Sequence, residues 1–236
     1  MIFRPILLLL FIGLLVAAAN AQKTVVVIDP TIPTADVGTV ATATNQEEID
    51  RVALPKLKAK YENDGCTVNL ELAGETSGSF TKVNAKETIA FYQVCQTGNG
   101  LGVVALVVTE NGQVTGIYGS DSGWSFDLGS LPDIDGNGLD ELTLSFGGGM
   151  HQGKGGVGVE IVQFKSGLPM VLGWFQAEEL TDTEPTAAWR VTAKTGKIPV
   201  YYRQKFVSND GKRWRRSGAN AVFKLTKGTS KYEAVN

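Results

Sequence analysis

From Cys66 to Leu225 the chain is a succession of short apolar or alternating runs broken by turn residues, which leaves little room for anything but strands. Cys66 to Leu72 alternates, and Thr88 to Cys95 is rich in β-branched and aromatic residues. Gly102 to Thr109 and Gln113 to Tyr118 flank Glu110-Asn111-Gly112, and Asn-Gly between two such runs marks a hairpin. Leu142 to Phe146, Gly155 to Phe164, Leu168 to Phe175, Ala188 to Ala193, Val200 to Val207 and Ala221 to Leu225 continue the series. Upstream, one stretch has helical periodicity: Ile49, Val52, Ala53, Leu57 and Tyr61, preceded by Thr44-Asn45-Gln46-Glu47, which reads as a capping box. Pro55 either kinks this helix or starts a second one. The expected fold is mainly β, a sandwich, a barrel or partial propeller-like sheets. One N-terminal helical segment covers an apolar face.

Within the strand region, Asp133-Ile134-Asp135-Gly136-Asn137-Gly138-Leu139-Asp140-Glu141-Leu142 stands apart. Side-chain oxygens recur at its first, third, fifth and ninth positions: Asp133, Asp135, Asn137 and Glu141. Gly136 and Gly138 let the backbone bend tightly, since glycine tolerates positive φ. Leu139 can offer only its carbonyl oxygen. Clustered hard oxygens with backbone help suit Ca²⁺, which takes about 6–8 oxygen ligands in flexible geometry. The bland alternative is a hairpin turn without metal, but such a turn needs fewer oxygen-bearing residues than this run supplies.

The run resembles the calcium loop of FG-GAP repeats, the integrin-type propeller blades also found in exported bacterial proteins. That pattern reads D-x-D/N-G-D/N-G-x-x-D/E-L followed by a strand, which Leu142 to Phe146 supplies here. The resemblance covers about twenty residues and implies a structural Ca²⁺ held by Asp133, Asp135, Asn137, the Leu139 carbonyl and Glu141. A complete propeller would repeat the loop at a fixed period, and the sequence contains it once. An EF-hand fits less well, because its twelfth position, a bidentate Glu there, is Leu144 here.

The N-terminus reads as a signal peptide over residues 1–21: Arg4, an apolar run from Ile6 to Val16, then Ala19-Asn20-Ala21 as a small-x-small cleavage site. Cleavage after Ala21 implies export to a periplasmic or extracellular space. The remaining residues, 22–236, are read as a single β-rich domain with a possible sub-boundary near 185. In an oxidising compartment Cys66 and Cys95 form a disulfide. Two cysteines and one histidine make a zinc site a poor fit. Charge is unevenly spread. Gln22 to Pro185 carries 9 Lys and Arg against 22 Asp and Glu, whereas Thr186 to Asn236 carries 12 against 2. A basic end on an acidic body either packs on that body or meets an anionic partner.

Gly148 to Lys154 matches G-x-x-x-x-G-K, the start of a P-loop, but the next residue is Gly155 and a strand follows where a helix should. It reads better as a flexible loop beside the calcium loop, with Gly148, Gly149, His151, Gln152 and Lys154 as ligand-facing candidates. His151 is the single histidine, so a secreted hydrolase would use it or a carboxylate pair such as two of Glu178, Glu179 and Asp182. Trp124, Trp174, Trp189 and Trp214 could stack on sugars or simply fill the core. Arg203, Lys205, Lys212, Arg213, Arg215 and Arg216, interleaved with Tyr201, Tyr202 and Trp214, could meet an anionic polymer or form one solvated strand face. The resulting expectation is an exported, calcium-binding, β-rich protein without catalytic residues. It would bind a ligand or a cell-envelope polymer, with no membrane span and no nucleic acid. A secreted hydrolase is the alternative.

Overall fold

The computed structural model describes residues 22–32, 42–63, 65–98, 101–121, 123, 125–147, 154–181, 185–228 and 230–236. The expected signal peptide, Gly148, Gly149, His151, Gln152, Trp124 and Asp182 lie outside the described residues.

The chain is mainly β, with one helix and two antiparallel sheets. Helix α1 (Gln46–Tyr61) carries Glu47 and Glu48 in its first turn and Lys58 and Lys60 in its last, complementing the helix dipole at both ends. Pro55 lies inside it, so the segment is one helix and not two. The capping box does not form. The N-cap is Asn45, and its side chain makes no cap hydrogen bond. Thr44 instead gives its amide and hydroxyl to the Glu75 carboxylate, while the Gln46 Oε1 reaches back to the Ala43 amide at 3.1 Å. A tertiary partner has taken the hydroxyl that local pattern would assign to the helix.

The smaller sheet contains β2 (Glu71–Gly78), β3 (Glu87–Gly98), β4 (Leu101–Glu110), β5 (Gln113–Ser120) and the short β14 (Glu233–Ala234), in the order β14-β5-β4-β3-β2. Asn111 (φ 52°) and Gly112 (φ 78°) make the tight β4–β5 turn, where both residues need positive φ. Strands β3 and β4 are nearly unbroken apolar runs because both of their faces are buried. Ala90, Tyr92, Val94, Ala105 and Val107 pack under Ile49, Ala53 and Leu57 of the helix. Ile89, Phe91, Leu106 and Val108 face the other way, onto Leu128, Leu142, Leu144, Val162 and Phe164 of the larger sheet. Each fully buried Leu, Ile or Phe contributes about 1.5–3 kcal/mol. Cys66, just after the helix, is bonded to Cys95 in β3, with Cα atoms 5.5 Å apart. A bridge closing a loop of this length is worth about 2–4 kcal/mol.

The larger sheet has nine strands. Its main order is β12 (Arg215–Arg216), β11 (Val200–Ser208), β10 (Thr186–Lys194), β9 (Leu168–Thr181), β8 (Lys154–Lys165), β7 (Glu141–Gly147) and β6 (Ser125–Leu131). Strand β1 (Thr24–Ile28) pairs with β10, and β13 (Ala221–Phe223) with β11. The pairing of β9 with β10 carries the sheet across Pro185, where the charge changes sign. A register shift at Ile161/Val162 in β8 accompanies a change of core. Val162 and Phe164 face the smaller sheet, whereas Val159 and Ile161 join Val25, Ile134, Phe175, Val191, Ala193 and Tyr201 in a further cluster.

The last residues strap the layers together. Thr226 bridges to Trp174 of β9, Tyr232 is buried between the sheets, β14 adds to β5, and Val235 reaches the helix-side core. No helix among the described residues is long and apolar enough to cross a membrane.

Candidate metal centre

The connection from β6 to β7 begins after Leu131 and ends before Glu141, which are paired with each other across the sheet. Two hydrophobic and backbone anchors hold it. Ile134 is fully buried, and its carbonyl accepts the Gly196 amide at 2.9 Å. Around this point the loop wraps on Asp133. Asp133 Oδ1 accepts the Gly136 amide at 2.7 Å and the Asn137 amide at 3.2 Å, and Oδ2 accepts the Gly138 amide at 2.8 Å. Gly136 (φ 81°) and Gly138 (φ 87°) take the left-handed conformation this path demands. Asp135 Oδ1 accepts the Asn137 amide at 3.0 Å, and Asn137 Oδ1 accepts the Leu139 amide at 2.7 Å.

Carboxylate oxygens of Asp133, Asp135 and Glu141 lie within 4.8 Å of one another. Glu141 decides the electrostatics. It is fully buried; Oε2 accepts the Ile134 amide at 3.0 Å, while Oε1 has no hydrogen-bond partner. Burial pushes its carboxyl up to about 8 against the pull of the Ile134 amide, and the negative charges of Asp135, Asp133 and Asp140 push the same way. Buried Tyr201 is raised as well, first by burial and then by the charges of Glu141 and Asp135. A cleft of about 580 Å³ opens over the loop, lined by Asp133, Asp135, Gly136, Asn137, Thr195 and Lys197 among others. The site is therefore three carboxylates and an amide oxygen around an accessible space. Such a set can hold a hard cation through oxygen and lacks soft or imidazole ligands.

Asp140 is the member that sequence reasoning passed over. Its Oδ1 accepts the Asp133 amide at 3.2 Å, its Oδ2 the Ser79 amide at 2.8 Å, and its own amide donates to the Ser79 carbonyl at 2.8 Å. It thus clamps the loop to the β2–β3 turn, which Glu87 organises by accepting the Phe80 and Thr81 amides, each at 2.7 Å. The signal was present as the acid next to Glu141, but its long-range partner Ser79 is invisible in local pattern.

Of the glycine-rich candidates, only Lys154 is among the described residues. Gly147 and Lys154, which flank residues 148–153, stand at the opposite end of β7 from Glu141, six residues or about 20 Å away by strand rise. Lys154 is exposed and lies opposite Thr181. The basic end also differs from a single solvated face. Arg203 lies over the Phe223 ring and Lys205 over the Trp189 ring on one side of β11, whereas Arg190 and Arg216 line a groove on the other. Glu178 and Glu179 are adjacent in β9 and point to opposite faces. Neither a protein family, nor a curated protein sequence, nor a solved structure matches this chain.

Proposed function

We propose that the β6–β7 loop is a structural Ca²⁺ site in an exported, β-rich, non-enzymatic binding protein. The observation that carries this reading is Glu141 Oε1, a fully buried carboxylate oxygen without a partner, set among the Asp133 and Asp135 oxygens. An uncompensated carboxylate in that position is costly, and a divalent cation removes the cost while neutralising the mutual repulsion of the three acids. Asp133, Asp135, Asn137, the Leu139 carbonyl and Glu141 would supply oxygens. Ca²⁺ would contribute charge compensation and loop rigidity, with no reaction. The resemblance of this run to the FG-GAP loop supports the same assignment. Export, with cleavage after Ala21, accords with the Cys66–Cys95 disulfide, a bond that persists in oxidising compartments.

Titration calorimetry of chelator-stripped protein tests the metal. One saturable Ca²⁺ site is expected, lost in Asp135→Ala. No heat of binding up to about millimolar Ca²⁺, the weak end of extracellular sites, would reduce the loop to a turn. Intact-mass analysis of secreted protein tests export, and a mature chain that retains residues 1–21 would contradict it.

A further inference from the structure

Cross-strand partners share a face, so the registers of β10, β11 and β12 sort their side chains into two sets. Val191, Ala193 and Tyr201 look inward, into the core that contains Ile134. The outer side carries a groove of about 350 Å³ lined by Arg190, Thr192, Gln204, Phe206, Arg216 and Asn220. Gln204 is opposite Arg190, and Phe206 is opposite Arg216. The two arginines are thus two strands and two residues apart, or about 12 Å between Cα atoms by strand spacing and rise.

Their backbone is held in place. Arg216 pairs with β11, the Ser217 amide donates to the Lys205 carbonyl at 2.8 Å, and Gln204 Nε2 donates to the Gly218 carbonyl at 2.8 Å. Arg190 is ion-paired through Nε with Asp29 at 3.1 Å, and a guanidinium has further donors beyond Nε, whereas Arg216 has no acidic partner among the described residues. Exposed Val26 and Val222 flank the groove. No described element covers it.

The chemistry of the lining identifies an occupant. Two forked guanidinium groups suit carboxylates or sulfates. Thr192, Gln204 and Asn220 suit hydroxyls, and the half-buried Phe206 ring suits an aliphatic face. Nucleic acid fits less well. The groove lacks the row of aromatic side chains on which bases stack. We propose that this groove binds an acidic polysaccharide, its anionic groups on Arg190 and Arg216 and its hydroxyls on Thr192, Gln204 and Asn220.

The test uses the full chain in chelator, so that its outcome is independent of the calcium site. Binding to polygalacturonate and to dextran sulfate is measured beside neutral dextran, polyglutamate and polyphosphate. At least one acidic polysaccharide should bind more tightly than all three comparison polymers. The double variant Arg190→Gln/Arg216→Gln should weaken it about tenfold, the scale of losing charge-assisted bonds. The charge-matched pair Lys224→Gln/Lys227→Gln, exposed residues outside the groove, should leave it unchanged. Should the double variant fail to fold, Arg216→Gln alone, at an exposed position, should still weaken binding several-fold. Equal losses in the two pairs, equal affinity for polyglutamate or polyphosphate, or no binding to either acidic polysaccharide at low salt would each overturn the proposal.

Discussion

Glu141 and Glu160 are both buried in strands of the larger sheet, and each has one carboxylate oxygen without a hydrogen-bond partner. Burial raises both carboxyls above the ordinary glutamate range. Their surroundings differ. Glu141 opens onto Asp133 and Asp135 beneath an accessible cleft. Glu160 lies under the C-terminal strap, where the Ser230 hydroxyl donates to its Oε1 at 3.0 Å, and its charge raises the buried Tyr232 further. The same partnerless oxygen thus stands in different company: more carboxylates in the first case, hydroxyls in the second.

Removing the strap breaks the Glu160 side of this comparison outright. Truncation after Thr226 deletes Ser230, Tyr232, β14 and Val235. Loss of the buried Tyr232 and Val235 alone should cost about 3–6 kcal/mol, a large part of the usual 5–15 kcal/mol of a domain. Chemical denaturation should show the loss. Ending the chain at Pro185 removes five strands, exposes the edge of β9 and should leave no cooperative melt. A fragment that melts cooperatively near the full-length temperature would instead make the basic end a separate module.

Calcium probes the other side. At about a hundredfold excess over Kd it should add about 2.7 kcal/mol, raising Tm by about 5–10 °C, and Asp135→Ala should show no rise. Calcium affinity should also climb as pH rises toward about 8 and level off above it, once Glu141 has given up its proton in the metal-free protein. A Tm that ignores calcium in the parent protein would erase the distinction between the two carboxylates.

The smallest effect sharpens the contrast. In Glu160 the folded state keeps a proton that the unfolded chain releases at ordinary glutamate pH. Its contribution is therefore full in acid and is lost as pH rises through the raised value. Glu160→Gln should flatten this part of the stability profile, with a net change of about 1 kcal/mol near neutral pH and no change in calcium affinity. Glu141→Gln should flatten the profile of the metal-free protein too, but abolish the calcium response. Identical behaviour of the two variants toward calcium would show that the acidic neighbours of Glu141 do not matter.

Local pattern was enough where local physics dominates. The β3 and β4 runs announced strands, Asn111-Gly112 announced its hairpin, and the alternating acids of the β6–β7 loop announced a cluster of oxygens. Strand β6 escaped notice because Ser125-Phe126-Asp127-Leu128-Gly129-Ser130-Leu131 has modest β propensity, and its place follows from pairing with β7. The capping box failed because Glu75, distant in sequence, competes for Thr44. The Cys66 to Leu70 alternation is not a strand; β2 begins at Glu71.

The sequence by itself determined the β-rich class, the single helix, the cysteine pair and the residues of the oxygen-rich loop, since periodicity, turn chemistry and residue type act over a few positions. Only the tertiary structure decided which carboxylate oxygens are left without partners, that Asp140 clamps Ser79, and that the basic strands divide their arginines between two faces. Those outcomes depend on register and on burial, which are set when distant strands compete for the same space and the same hydrogen bonds.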